Sequence, residues 1–157
     1  MKTVKYIFVL MLIAGGFISC DTNRVYEENR DVEGGMWSVG KPLSFDFEIP
    51  DTVTKYNFYF NIRNTDDYPY NNIYVFFHTK FPNGKTGTDT VAFPLADPNG
   101  RWFGKGQGDI HDCQLIFKKG VRFPVAGKYH MDIEQAMRMA ELPGVMNAGI
   151  RIEKAEE

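Results

Sequence analysis

From residue 43 onward, apolar and polar residues alternate with a period of two over most of the chain. Leu43, Phe45, Phe47 and Ile49 are interleaved with Ser44, Asp46 and Glu48, and the run stops at Pro50-Asp51. Tyr56, Phe58, Phe60 and Ile62 share one face of the next segment, with Asn57 and Asn61 on the other. Ile73, Val75 and Phe77 define a third, apolar on both sides because Tyr74 and Phe76 lie between them. Val91, Phe93 and Leu95 give a fourth, and Leu115 with Phe117 a weak fifth. Val121, Phe123 and Val125 suggest a short segment, followed by Tyr129, Met131 and Ile133, and finally by Ala148, Ile150 and Ile152. Successive side chains of a strand point to opposite faces, so this pattern predicts half-buried strands.

Turn residues punctuate the strands: the stretch from Arg63 to Pro69, Pro82-Asn83-Gly84, Asp97-Pro98-Asn99-Gly100 and Pro143-Gly144. About eight short strands without a strand–helix rhythm predict an all-β fold, an antiparallel β-sandwich of jelly-roll or immunoglobulin-like type. One stretch is ambiguous. Residues Glu134 to Leu142 are good helix formers, with Ile133, Ala136, Met137 and Ala140 at helical spacing, yet they also continue the alternation. The reading adopted is a strand to about Gln135, then a turn or a single helical turn before Pro143.

The amino terminus follows a different rule. Lys2 and Lys5 precede an apolar run from Tyr6 to Ile18, then Ser19 and Cys20. That run is shorter than the roughly 20 residues needed to span a bilayer. A positive start, a short apolar middle and small residues at the end make a secretory signal peptide. Cys20 directly after Phe17-Ile18-Ser19 resembles a bacterial lipobox, whose cysteine receives a diacylglyceryl group; the alternative is an ordinary signal peptide with an incidental cysteine. The expected organisation is a signal peptide over 1–19, a lipidated Cys20 and polar spacer over 20–40, and a sandwich over 41–157. Val25-Tyr26 and Met36-Trp37 are the spacer residues able to dock onto the folded part, and Trp37 is expected in the core.

Composition adds limits more than identity. The apolar fraction is 43% and the charged fraction 24%, enough apolar surface to offset chain entropy over most of the length. The formal charge of −2 becomes more negative once Lys2 and Lys5 are removed, which argues against a nucleic-acid partner. No polybasic strip is present to hold anionic lipid, so anchoring is expected from acyl groups. Cys20 and Cys113 are the only cysteines; with Cys20 acylated, Cys113 has no intramolecular partner and is expected to be a small buried side chain.

Candidate chemistry is sparse. His78, His111 and His130 sit in different predicted strands with no catalytic motif around them. Asp109-Ile110-His111-Asp112-Cys113 would place three ligand types on one strand face, but a fourth ligand and supporting residues are not evident, and a solvated strand edge explains the run as well. Gly100 to Gly108 superficially resembles a phosphate cradle without its Gly-Lys-Ser/Thr element; a flexible hairpin or bulge with glycine at positive φ is the plainer reading. Within it, Trp102 is either an exposed platform for a sugar or a partner, or a side chain folded back to plug one end of the sandwich. Tyr68 and Tyr70 raise the same choice, with Arg101 beside Trp102.

Taken in order, Cys20-Asp21, Trp37 before Phe45-Asp46-Phe47, Tyr56 to Ile62 leading into Arg63-Asn64, Tyr68-Pro69 and Asn72-Ile73-Tyr74-Val75 resemble the gliding-motility lipoprotein family GldH of Bacteroidetes. Gly100-Arg101-Trp102-Phe103-Gly104, Gly127-Lys128-Tyr129, the run Ile133 to Arg138, Leu142-Pro143-Gly144 and Gly149 to Glu153 extend the resemblance over nearly the whole chain. It implies a non-enzymatic, membrane-anchored lipoprotein of the cell envelope, with no cofactor or catalytic residue, associated with gliding and the secretion machinery gliding depends on. The expected partners are the membrane, through acyl chains on Cys20, and other envelope proteins. The outer membrane, on its periplasmic face, is preferred over the inner. The alternative is a tethered carbohydrate-binding sandwich, in which Trp102, Tyr68 and Tyr70 stack on sugars and Arg101 or Asn71 supplies hydrogen bonds. A hydrolase using His111 or His130 beside a carboxylate is the third and weakest reading.

Overall fold

The computed structural model describes residues 21–156. Cys20 and the expected signal peptide lie outside the described residues. Ten strands follow in order: β1 (Arg24–Asp31), β2 (Met36–Ser38), β3 (Leu43–Ile49), β4 (Tyr56–Thr65), β5 (Asn72–Lys80), β6 (Thr86–Pro94), β7 (Ile110–Val121), β8 (Gly127–Gln135), β9 (Glu141–Pro143) and β10 (Val145–Lys154). A 3-10 turn, Glu33–Gly35, precedes β2.

Eight of the strands form two antiparallel sheets packed face to face, one ordered β1-β10-β4-β7 and the other β3-β8-β5-β6. The residues that alternate in the sequence explain why. Phe45, Phe47 and Ile49 of β3, and Phe58, Phe60 and Ile62 of β4, all turn inward and are buried. Burying each such side chain is favourable by about 1.5–3 kcal/mol, so the pleat and the apolar pattern choose the same face. Rings bridge the layers: Phe60 stands 5.8 Å from Phe77 and 5.1 Å from Phe93, and Phe77 stacks on Phe117 at 4.2 Å. The small β2–β9 ribbon closes one end, inserting Trp37, which is 1% exposed, with Leu142 beside it. Trp37 is therefore core, as its sequence context suggested.

Several boundaries differ from expectation. The sequence predicts a spacer over residues 20–40, yet Arg24–Asp31 form edge strand β1, paired with β10 from Arg24↔Glu153 to Asp31↔Asn147. The strand looks polar because an edge needs only a narrow inward contact and tolerates charge on its open side; Tyr26 supplies that contact, 5.7 Å from Phe47. The sandwich thus begins near residue 24 rather than 41. Val121 to Val125 is not a separate strand. Val121 ends β7, a single long strand that absorbs the weak Leu115–Phe117 segment, and Phe123 and Val125 lie in the following connection. Ribbon strand β9 was not expected at all.

The ambiguous stretch resolves without a helix. β8 ends at Gln135, whose buried side chain takes over the next turn: its Oε1 accepts from Met137 N at 2.8 Å and its Nε2 donates to Met139 O at 2.8 Å. A buried amide that satisfies backbone groups of the following loop competes directly with helical hydrogen bonding.

Strand registers define two ends of the molecule. The near end carries Asp21, the starts of β1, β4, β6 and β8, and the ends of β3, β5, β7 and β10. The far end carries the β2–β9 ribbon and the connections 66–71, 95–109 and 136–140.

Candidate functional site

All four non-terminal residues singled out from the sequence fall at the far end, but the structure gives them unequal roles. Tyr68 is 3% exposed, and its hydroxyl donates to Asn72 O at 2.8 Å. Burial, with the nearby Tyr70 phenol, pushes its acidity well below that of a free phenol. Tyr68 is therefore a packed structural residue rather than part of an exposed platform. Its ring meets Tyr70 edge-on at 6.1 Å and Trp102 at 6.3 Å, so it lies between them.

Trp102 is half-buried against the core. One indole face stacks on His111 at 5.1 Å, and Nε1 donates to Asp66 Oδ1 at 3.0 Å. The same carboxylate oxygen lies 2.7 Å from His111 Nε2. A carboxylate only accepts, so that ring nitrogen carries the hydrogen. Asp66, Trp102 and His111 come from two connections and the start of β7, and each fixes the other two. Trp102 thus folds back onto the sandwich, with one indole face against His111 and Tyr68 buried beside it.

The local sequence around Trp102 produces this placement. Asp97 Oδ1 accepts from Asn99 N and Arg101 N, each at 2.9 Å, closing the Asp97-Pro98-Asn99-Gly100 turn, and Ala96 bridges to Trp102 across it. Arg101 N and Asn99 N hold the Asp97 carboxyl below the usual carboxylate range, and the Arg101 guanidinium adds to this. Arg101 itself projects into solvent. The glycine-rich segment that follows is a packed strap. Lys105 pairs with Asp112 of β7, and a Cβ at Gly106 would lie 1.7 Å from Ile110 O. Close backbone approach, in addition to positive φ at Gly100 and Gly108, is what requires glycine here.

Residues beside this cluster form the accessible surface. Tyr70 and Tyr74 are 36% and 44% exposed, Phe103 53% and Met139 38%. Tyr70, Tyr74, Ala136, Met137 and Arg138 line a shallow groove of ≈ 460 Å³. Tyr74, Phe103 and Met139 were not singled out from the sequence. An aromatic at a strand position shows no burial by itself, and only the register of β5 turns Tyr74 outward.

The metal-like run does not assemble. Asp109 precedes β7, Cys113 points into the core, and His111 is occupied by Asp66 and Trp102. Among the described residues, no group of three or more His, Cys, Asp or Glu side chains is placed to hold a metal ion. Burial, with Asp112 alongside, raises the Cys113 thiol above its ordinary pKa, which suits an inert small core residue. His78 and His130 lie apart, on the outer face of the second sheet.

The near end holds a second cluster. Arg151 of β10 donates to Glu27 at 2.9 Å and to Glu153 at 2.9 and 3.1 Å, and also binds the Asp21 carboxylate. Lys154 N donates to Asn23 O at 2.8 Å. These contacts fasten the first described residues to the sheet. Tyr59 completes the network, donating to Glu153 at 2.7 Å.

Comparison with known proteins agrees with the sequence resemblance. The family model described as GldH lipoprotein matches residues 24–152. A gliding motility lipoprotein GldH homolog of Christiangramia forsetii is 37% identical over 158 residues, covering 96% of this chain and 95% of that protein. The gliding motility lipoprotein GldH of Flavobacterium johnsoniae is 34% identical over 160 residues, covering 98% and 99%. Among solved structures, a Family 16 Carbohydrate Binding Module-2 aligns over 75% of this chain and 70% of its own, at 13% identity and a TM-score of 0.25. That likeness is too low to carry any argument.

Proposed function

Because the chain belongs to the GldH lipoprotein family, we propose that it is a non-enzymatic adaptor, tethered by acyl chains on Cys20 and presenting its far end to an envelope protein. As a lipoprotein homologous to the gliding motility protein, it is membrane-anchored in the cell envelope. The finer assignment we favour is the outer membrane, on its periplasmic face, where it serves gliding and the secretion machinery linked to it.

One observation carries this reading. Asp21, the residue after Cys20, is held by Arg151 at one end of the sandwich, while Tyr70, Tyr74, Phe103 and Met139 are exposed at the other. A module fixed at one end and apolar at the other suits a tethered partner-binding role: anchoring raises its effective concentration for membrane neighbours, and exposed aromatics and methionine are the side chains that contribute most at contacts. At the far end Asp66 and His111 are engaged in fixing Trp102, which supports a role without catalysis.

Metabolic labelling with a fatty-acid analogue tests the tether: the wild type labels and Cys20→Ala does not. A photo-crosslinking residue at Tyr70 or Tyr74 is expected to capture a discrete envelope protein that the same residue at Ile116, exposed on the sheet face, does not. Equal capture from both positions would remove the far end as the partner surface.

A further inference from the structure

The lysines look dispersed in the sequence, yet the fold gathers them. Lys55 lies in the β3–β4 connection, Lys80 and Lys85 flank the β5–β6 hairpin, Lys119 and Arg122 stand where β7 ends, and Lys154 ends β10. The registers place all six at the near end, and all six are exposed. The lysines that form ion pairs among the described residues are Lys41 and Lys118, with Glu33 and Asp89, and neither belongs to this set. Arg122 makes a hydrogen bond to Val53 O at 2.9 Å and no ion pair among the described residues.

Acidic groups at the same end are mostly engaged. Asp21 is bound by Arg151. Asp51 accepts from Val53 N, Thr54 N and the Thr54 hydroxyl, at 2.7 to 2.9 Å. Asp89 is paired with Lys118. Glu48 lies across from Lys128 in the β3–β8 register without an ion pair, and Glu156 likewise forms none among the described residues. The far end is the reverse, with Asp66, Asp67, Asp97 and Asp109 on its connections and Asp112 near the start of β7. Between the near-end lysines, Val53 projects at 73% exposure.

We infer that the near end is a docking surface for an anionic bilayer, its lysines and Arg122 facing lipid phosphates with Val53 at the headgroup boundary. The inference rests on acylation of Cys20. Consecutive Cα atoms are about 3.8 Å apart, so the acylated residue lies next to an Asp21 that is fixed to the sheet. A globule fastened that closely has only one end that meets the headgroups, and that end is the basic one. The sequence contains no polybasic strip because the surface is assembled from three connections and the end of β10. Basic side chains near an anionic surface each favour contact by about fivefold, an effect that salt screens within about 8–10 Å. The result is an upright orientation, with the acidic, aromatic far end directed away from the membrane.

The processed, lipidated protein purified from membranes is reconstituted into phosphatidylcholine vesicles and into vesicles with about a third phosphatidylglycerol. Lysines are then acetylated and quantified by mass spectrometry. Lys55, Lys85, Lys119 and Lys154 are expected to label about fivefold more slowly on the anionic vesicles at low salt, whereas Lys41 and Lys105 label equally on both. Salt at about 0.5 M should erase the difference, as should the combined Lys55→Glu, Lys119→Glu and Lys154→Glu variant, read at Lys85. Equal labelling of the near-end lysines on both vesicles overturns the inference. Failure to float with neutral vesicles at high salt sinks the Cys20 reading instead. In that event flotation with anionic vesicles at low salt supports the basic surface, and its absence overturns it.

Discussion

Replacing Arg151 with Met removes the guanidinium while keeping a long apolar stem, so it isolates the charge cluster that holds residues 21–23 to the sheet. The Arg151 side chain is 14% exposed, against 38% for Asp21, 23% for Glu27 and 20% for Glu153. Although burial works against its charged form, the Asp21, Glu153 and Glu27 carboxylates hold its proton more tightly than usual. Breaking a fully buried pair costs about 3–5 kcal/mol, and an exposed one contributes about 0.2–1 kcal/mol. The intermediate exposure here, with Asp21 and Glu153 left without a cation and Glu27 keeping Arg24, places the loss at about 2 kcal/mol. For a domain of this size that lowers Tm by about 6 °C. Urea unfolding at neutral pH, followed by the fluorescence of Trp37 and Trp102, measures it directly. Arg151→Lys keeps the charge but loses the two-pronged contact with Glu153, and is expected to lose about half as much. Arg151, through its hydrogen bond to the Asp21 carboxyl, depresses that group's pKa below 3.8. Its contribution is therefore present above that value and lost as pH falls through the folded pKa, so the gap between wild type and Arg151→Met should narrow toward pH 3. A loss under about 0.5 kcal/mol at neutral pH, or a gap that persists unchanged in acid, would refute the reasoning.

Three further outcomes follow from the geometry. Gly149→Ala should free edge strand β1, because a Cβ there would stand 2.1 Å from Glu28 O; amide hydrogen exchange should speed up at Tyr26 to Arg30 more than in β4. Phe60→Ala, at the meeting of Phe77 and Phe93, should cost about 3–5 kcal/mol in urea unfolding. His130 sits 2.8 Å from Asp46 and 3.2 Å from Asp132, and chiefly the Asp46 hydrogen bond raises its pKa above 6.5. Its contribution is complete below that value and disappears as pH rises through the folded pKa, so His130→Gln should lower stability at pH 5.5 and change little at pH 9. The same decrement at both pH values would show that His130 acts by packing alone.

The sandwich was legible because its signals are local. Phe45 and Phe47, or Tyr56 to Ile62, announce a buried strand face by spacing alone, and Pro82-Asn83-Gly84 and Asp97 to Gly100 announce their turns. The end of β8 at Gln135 was also readable, although the cause, a buried side chain capturing the next loop, was not. β1 reads as a spacer in the sequence because an edge strand with Tyr26 inward and charges outward has no strong alternation. The far-end site was half visible. Trp102 drew attention as a glycine-flanked tryptophan, but Asp66 and His111 gave no sign that they would fix it, and nothing near Tyr68 indicated burial.

The sequence by itself determined most of the core strands, the sandwich and the resemblance that led to the family, and it carries the expectation of an export signal with Cys20 at its edge. Each of these depends on neighbours within a few residues: the pleat, the turn, the apolar run. Tertiary structure alone decided that Asp21 is held by Arg151, that Trp102 turns inward onto Asp66 and His111, and that lysines from residue 55 to residue 154 surround one end. Those relations arise from the pairing of distant strands. Antiparallel register brings together groups that no short stretch of chain contains, and it sorts charge between the two ends of the sandwich.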